Sequence, residues 1–476
     1  MSTSPDESSP EHSSRQPDLV VLGGGSGGYA CALRAAELGQ QVVLVESDRL
    51  GGTCLHRGCI PTKAWLHAAE VADAARHAAD FGVRASFDGV DLAAVRAYAD
   101  KVVGRLHKGL TGLVSSRGIE VVAGEGRLVR DGADSWGVEV GGRRIMAPHV
   151  VLATGSQPKT LPGLDVDGVR VITSDHALRM NELPTSAIVL GGGVIGVELA
   201  SAWRSFGVEV TIVEALPRLV AAEDPAISTA LERAFRRRGI AYLTGSPMRS
   251  VELGPESGVT LTCADGRTVT ADVLLVAVGR GPVSAGLGYA EAGVRLDRGF
   301  VVVDERLETA APGVFAVGDL VTGLQLAHRG FAHGIFVAEQ IAGDEGAVRR
   351  APVDAELPRV TYCDPEIVSV GLSEDAALES HGEIETLVYD LAGNGKSQIL
   401  QTQGFVKVVR AKGGPVLGVH LIGSRVSELA GEAQLIAGWE AYPEDVAAML
   451  HAHPTQSEAL GEVHLALAGK PLHTHG

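Results

Sequence analysis

Leu19-Val-Val-Leu-Gly-Gly-Gly-Ser-Gly-Gly28 is the stretch that decides the fold. A short β-branched run enters a glycine turn, and the helical pattern Tyr29–Leu38 follows, ended by Gly39. A second apolar run, Val42–Val45, stops at Glu46. Strand, glycine turn, helix, strand and terminal acid make one βαβ nucleotide-binding unit. Further on, Ala187–Leu190 leads into Gly191-Gly-Gly-Val-Ile-Gly196, helix Val197–Phe206, Gly207 and strand Val210–Val213, ending at Glu214. Gly23 and Gly191, Gly39 and Gly207, Glu46 and Glu214 are each 168 residues apart. Such constancy of spacing marks two copies of one unit. Within each, the first glycine (Gly23, Gly191) allows the tight turn. The second (Gly25, Gly193) lets backbone approach a pyrophosphate, and the third (Gly28, Gly196) lets helix pack on strand. The helix start offers free N–H groups and a positive dipole end to the anion. Glu46 and Glu214 are suited to ribose hydroxyls. An acid at 214 repels a 2′-phosphate, so the second site favours NAD over NADP; Arg218, four residues on, works against that preference.

The rest of the chain is read around this repeat. Val150–Ser156 and Val273–Arg280 are buried strands running into glycine turns, the crossings by which one domain leaves and returns around another. The expected division is a polar, disordered tail at 1–17 and a first nucleotide domain at 18–157 and 282–355. A second nucleotide domain follows at 158–281, and a mixed α+β domain at 356–476. The polar stretch Gly343–Glu356 reads as a linker. Glycine is in excess, 61 of 476 residues, where about 7% is usual, with no collagen period or Gly/Ser tract. The excess belongs to turns and close approaches. Acids outnumber bases 58 to 41, which argues against nucleic-acid binding. No apolar run approaches the ~20 residues of a spanning helix. Five cysteines in so long a chain exclude a disulfide-stapled scaffold. A soluble cytoplasmic protein is expected.

Two cysteines stand apart, in Gly51-Gly-Thr-Cys-Leu-His-Arg-Gly-Cys-Ile-Pro-Thr-Lys63, ahead of the helical pattern Ala64–Phe81. A helix N-terminus lowers a thiol pKa and favours exchange chemistry. Five residues of regular helix rise about 7.5 Å, too far for a disulfide, whose Cα atoms lie ~4.4–6.8 Å apart. Cys54 and Cys59 close only if the helix start is broken, which Gly58 and Pro61 permit. A reversible, somewhat strained disulfide follows; a zinc site, needing two more ligands, or two structural thiols are the alternatives. Near the end, Thr455-x-x-Glu458 reads as a capping box. In the same motif His453 is a candidate general base oriented by Glu458, with His451 as its decoy.

Gly51–Lys63, the two fingerprints, Ala153-Thr-Gly155, Val314-Phe-Ala-Val-Gly-Asp319, Gln325-Leu-Ala-His328 and His451-Ala-His-Pro-Thr-Gln-Ser-Glu458 together resemble the flavoprotein disulfide reductases, and among them the dihydrolipoamide dehydrogenases. The resemblance runs from about Pro17 to the C-terminus. His56-Arg57-Gly58 and Thr62 depart from the commonest wording of the cysteine motif. The resemblance implies two Rossmann-like domains, for FAD and NAD, and a C-terminal dimerisation domain. It implies FAD contacts at Gly52, Thr53, Gly126 (through backbone), Thr154, Gly155, Ser156, Asp319 (on the ribitol), Gln325, Leu326, Ala327 and His328. It further implies that Lys63 lies by the flavin and pairs with Glu198, that Gly279 joins the NAD contacts, and that His453 serves the active site of the other subunit of a homodimer. The implied reaction oxidises protein-bound dihydrolipoamide at the Cys54–Cys59 disulfide and reduces NAD⁺. The implied partners are lipoyl domains of 2-oxoacid dehydrogenase acyltransferases or a glycine-cleavage carrier. Alternatives are another NAD(P)H-dependent disulfide reductase or a redox-sensing homologue without turnover. A glutathione-type enzyme needs basic residues where Glu214 stands, and a mercuric reductase needs cysteines beyond Cys363.

Overall fold

The computed structural model describes residues 16–132, 135–254, 258–344 and 350–473. The tail expected at 1–17 therefore falls outside them up to residue 15, as does 345–349 of the linker. The chain separates into two units. One comprises Met1–Gly52, Leu110–Gly155 and Pro282–Ala351; the other Thr53–Gly109, Ser156–Gly281 and Pro352–Gly476.

In the first unit, Leu19–Leu22 lies at the centre of a five-stranded parallel sheet. Its order is Val314–Ala316, His149–Leu152, Leu19–Leu22, Val42–Glu46, Glu120–Ala123. Leu19 stands opposite both Val42 and His149. Leu19, Val20 and Val21 are fully buried, as unbroken apolar strands of a parallel sheet should be. An antiparallel meander, Gly126–Arg130, Trp136–Val140 and Arg143–Ala147, packs beside it. Helix Ser26–Glu37 crosses helix Ala327–Ala342 at very short range. A Cβ on Gly334 would lie 2.3 Å from Gly27 O, and one on Gly27 3.3 Å from Gly330 O. Arg34 and Glu339, 2.8 Å apart, tie the far side of this crossing.

The second unit repeats the parallel sheet in the order Ala241–Leu243, Glu209–Val213, Ser186–Leu190, Val273–Val276, Val171–Thr173. A five-stranded antiparallel sheet follows: Arg359–Thr361, Glu366–Gly371, Val416–Gly423, Phe405–Ala411, Ile384–Asp390. Helices Ala430–Gly438 and Glu458–Leu467 add Ala433, Ile436, Leu460 and Val463 to its core. Residues 53–109 fall in this unit for a packing reason. Ala64, Trp65 and Ala69 of helix Cys59–Arg76 share one buried cluster with Val197, Leu199 and Trp203 of helix Val194–Ser205.

Both fingerprint helices begin three residues before their first periodic apolar residue, at Ser26 and Val194. The opening turns hold glycines chosen for close approach, which helix propensity counts against. The expected run Val150–Ser156 divides at Gly155, φ +71°, into strands His149–Leu152 and Ser156–Pro158. The run Val273–Arg280 divides likewise after Val276.

Candidate active site

The two glycine turns are built alike in detail. Gly23 and Gly191 take φ +105° and +111°, open to glycine alone. A Cβ on Gly28 would lie 1.8 Å from Gly23 O, and one on Gly196 2.0 Å from Gly191 O. The acids complete the pattern. Glu46 Oε2 accepts from Gly24 N at 2.6 Å and Oε1 from Asp48 N at 2.8 Å. Glu214 Oε2 accepts from Gly192 N at 2.5 Å and Oε1 from Leu216 N at 2.7 Å. Each carboxylate thus fixes its glycine turn and keeps lone pairs for a ribose.

Dinucleotides fit both turns. Helices Ser26–Glu37 and Val194–Ser205 have glycine N-caps, no side-chain cap and no acid in the first turn, so their N–H groups face outward toward an anion. A Cβ on Gly193 would meet nothing within 4 Å, and one on Gly25 only Gly52 Cα at 3.9 Å. The space is there for phosphate. Arg218, expected to favour a 2′-phosphate, is otherwise engaged: its guanidinium donates to the carbonyls of Ala221 (3.0 Å) and Glu223 (3.3 Å).

The cysteine motif is a broken helix. Gly52–His56 is one short turn, Gly58 (φ −135°, ψ −108°) interrupts, and Cys59 opens helix Cys59–Arg76. Both cysteines are partly exposed thiols. The hydrogen bond from Cys54 brings the Cys59 thiol down to about 7, and the Lys63 ammonium assists, against burial and the Glu198 charge. Lys63 Nζ sits 2.8 and 3.0 Å from the two Glu198 oxygens. Burial works against the ammonium, but the charge and hydrogen bond of Glu198 outweigh it and hold Lys63 above its ordinary value. Glu198 is 2% exposed, and its Oε1 also accepts from Tyr362 N at 2.9 Å. Among the described residues no cluster of three His, Cys, Asp or Glu side chains is arranged to hold a metal.

His453 Nδ1 lies 2.8 Å from Glu458 Oε1, and its side chain is 77% exposed. Burial disfavours the Glu458 charge, but Thr455 N and His453 reverse that and hold the carboxyl below its usual range. His451 also has an acid, Glu432, at 2.7 Å, but its side chain is 10% exposed. Exposure separates the candidate base from its decoy. The expected capping box forms only in half. Thr455 N reaches Glu458 Oε2, yet the Thr455 hydroxyl donates to Ala452 O, because Glu458 is the first residue of the helix and Ser457, not Thr455, stands at the N-cap position, without a side-chain cap bond. Asn394 Nδ2 donates to Thr455 O, and Ser397 and Ser424 engage Gln456, bracing the loop. Within one chain His453 hydrogen-bonds Glu458 and neither cysteine, among the described residues.

The remaining candidates divide by unit. In the first, Gly126 is sealed under Leu22 and Val45, each within 3 Å of a Cβ placed there. The Thr154 hydroxyl donates to Val283 O at 2.6 Å and lies 3.0 Å from the Tyr289 hydroxyl. Asp319 lies in the single turn Gly318–Leu320, braced where Gly318 N donates to His333. Gln325 Nε2 is buried without a hydrogen-bond partner among the described residues, and Leu326 is the uncapped start of helix Ala327–Ala342, whose second residue is His328. An orphan amide beside an open helix start suits a polar cofactor. In the second unit, Arg280, just past Gly279, donates to Ser156 Oγ (2.8 Å), Ser156 O (2.7 Å) and Thr53 Oγ1 (3.4 Å). Sequence reasoning gave Arg280, Tyr289, His333 and Tyr362 no role. Arg280 alone carried a signal, as a charge closing a buried strand.

The pyridine nucleotide-disulphide oxidoreductase family matches residues 17–334. The chain belongs to that family. Its dimerisation domain matches residues 357–464, so this oxidoreductase carries the family's catalytic and dimerisation parts. It is 39% identical over 472 residues to a dihydrolipoyl dehydrogenase of Bacillus subtilis, covering 96% of this chain and 99% of the relative. A dihydrolipoyl dehydrogenase of Pseudomonas aeruginosa is 40% identical over 466 residues, with 96% and 98% covered. Among solved structures, LpdA of Mycobacterium tuberculosis superposes with a TM-score of 0.87 at 28% identity, covering 94% and 99% of the two chains.

Proposed function

We propose that this oxidoreductase is a dihydrolipoamide dehydrogenase, using FAD and NAD⁺ and working as a homodimer. The observation that carries the reading is the thiol pair: Cys54 and Cys59 straddle a helix break, with Cys59 at about 7 beside Lys63. The names of its relatives supply the substrate class. Glu46 and the first glycine turn would hold FAD, with Thr154, Asp319 and Gln325–His328; Glu214 and the second turn would hold NAD⁺. When bound, FAD takes the electron pair of the reduced cysteines and NAD⁺ removes it as hydride.

The chain's own residues do the sulfur chemistry. In the oxidised state Cys54 and Cys59 form a disulfide. His453 of the second subunit, oriented by Glu458, takes the proton of one dihydrolipoyl thiol. The resulting thiolate bonds to Cys54 Sγ, and the Cys54–Cys59 bond breaks with its electron pair on Cys59. Lys63 is placed to stabilise that thiolate. The second dihydrolipoyl thiol passes its proton to the departing Cys54 sulfur, attacks its own sulfur partner and closes lipoamide, leaving Cys54 a thiol, Cys59 a thiolate and the first proton on His453. Exposed Trp439 (78%), Met449 (59%) and Leu450 (100%) in the dimerisation domain support pairing of two copies. Lipoyl domains of 2-oxoacid dehydrogenase acyltransferases, or a glycine-cleavage carrier, are the proposed partners, and a cytoplasmic setting is proposed from the few cysteines in so long a chain.

The test is a single assay of dihydrolipoamide with NAD⁺ or NADP⁺. Rapid NADH formation and slow NADPH formation are expected. No turnover with either nucleotide would sink the substrate assignment, and a preference for NADP⁺ would sink the reading of Glu214.

A further inference from the structure

Lys63 lies one helical turn beyond Cys59, so the two side chains share a face. Its ammonium influences the thiol only while it stays there. A lysine side chain that is 32% exposed has freedom to swing outward, and Glu198, buried and held by Tyr362 N, restrains it from one side. The other restraint is aromatic: Lys63 Nζ stands 4.7 Å from the centre of the Tyr362 ring, well inside the range of cation–π attraction. Tyr362 follows directly on strand Arg359–Thr361. One residue therefore grips both members of the ion pair, the carboxylate through its backbone N–H and the ammonium through its ring.

We propose that Tyr362 is a positioning residue, whose ring holds Lys63 over Cys59 and thereby sets the pH at which Cys59 ionises. The charged and titratable groups acting on Cys59 are Cys54, Lys63 and Glu198; those on Lys63 are Glu198, Cys59 and Tyr362. Around the Tyr362 hydroxyl stand Lys63, Glu198, Glu366 and Glu428, and burial comes first in keeping it protonated. The phenol stays neutral, so its ring face is the active part, and phenylalanine should replace it.

The inference rests on Cys59 being the charge-carrying thiol of the proposed redox pair. The experiment is the pH dependence of iodoacetamide alkylation on the reduced, flavin-loaded dimer. Cleavage after Arg57 places Cys54 and Cys59 on separate tryptic peptides, so each is counted by mass spectrometry. In the wild type the Cys59 midpoint is expected near 7. Tyr362→Leu should move it up by about 0.5–1 pH unit, a ~3–10-fold loss of rate at pH 6. Tyr362→Phe should restore it to within about 0.2 unit of wild type, since the ring face is kept. A Leu variant that titrates like the wild type overturns the proposal. So does a Phe variant that shifts as far as Leu, because the ring face would then not be the device. Flavin absorbance and melting temperature of each variant report folding. Dihydrolipoamide turnover by the wild type is read on the same preparation. Its absence would remove the substrate assignment while leaving the Cys59 titration, and the role of Tyr362, standing.

Discussion

Two glycines of the second fingerprint, three residues apart, should respond to alanine differently, one losing stability as well as affinity and the other affinity alone. A methyl on Gly196 would sit 2.0 Å from Gly191 O, where a carbon–oxygen contact needs about 3.3 Å. The helix and the turn must part by over an ångström. Overpacking of this kind costs about 1–3 kcal/mol, or roughly 2–10 °C of melting temperature at a few degrees per kcal/mol. A methyl on Gly193 meets nothing within 4 Å, and its backbone (φ −79°, ψ −174°) is ordinary extended geometry. Stability should change by less than about 0.5 kcal/mol. That methyl nevertheless occupies the ground a pyrophosphate needs at the helix start. Losing one charge-assisted hydrogen bond there, about 1.5–3 kcal/mol, weakens NADH binding ~10–100-fold. The assays are thermal unfolding and fluorescence titration with NADH, with flavin content as the control for the untouched first turn. Gly196→Ala should lose both stability and affinity, Gly193→Ala affinity alone. NADH binding by Gly193→Ala at wild-type strength would refute the phosphate cradle, and unchanged melting of Gly196→Ala would refute the close contact.

Other outcomes follow from the same geometry. Partial reduction should give a long-wavelength thiolate–flavin absorbance, and Cys59→Ser should abolish it while flavin stays bound; persistence of the band would move the role to Cys54. His453→Gln should cripple dihydrolipoamide turnover with stability within about 0.5 kcal/mol of wild type, its side chain being mostly exposed. His451 behaves differently, because the Glu432 hydrogen bond raises its pKa. Its contribution to stability is full below its unfolded value near 6.5 and is lost as pH rises through the higher folded value. The stability profile of His451→Gln should lack that alkaline-side decline, which calorimetry between pH 5 and 9 would register.

What was legible in the sequence was whatever the backbone dictates locally. Glycines needed for positive φ or for contact must be glycines, and a terminal acid must follow its strand, so both fingerprints and Glu46 and Glu214 were readable from spacing. The helix break between Cys54 and Cys59 was readable because a regular helix separates them too far. Tyr362 was not, since Arg359-Val-Thr-Tyr-Cys363 reads only as a short strand, and its value comes from arriving beside a lysine 299 positions earlier. The capping box misled because the helix starts only at Glu458, with Ser457 at its N-cap position making no side-chain cap bond, while the Thr455 hydroxyl turns to Ala452 O. Exposure, which separates His453 from His451, has no local signature.

The glycine crossing of helices Ser26–Glu37 and Ala327–Ala342 bears on how the polypeptide matures at the ribosome. The innermost strand of that unit precedes by some 300 residues the edge strand Val314–Ala316 and the helix that must nestle against Gly27. At ~5–20 residues per second, the opening segment waits tens of seconds for its partner. Residues 186–276, by contrast, carry a nearly complete nucleotide fold within one continuous stretch. The second copy of the repeat should therefore become protease-resistant on a nascent chain before the first, and truncations ahead of Gly334 should leave the N-terminal copy open to chaperones.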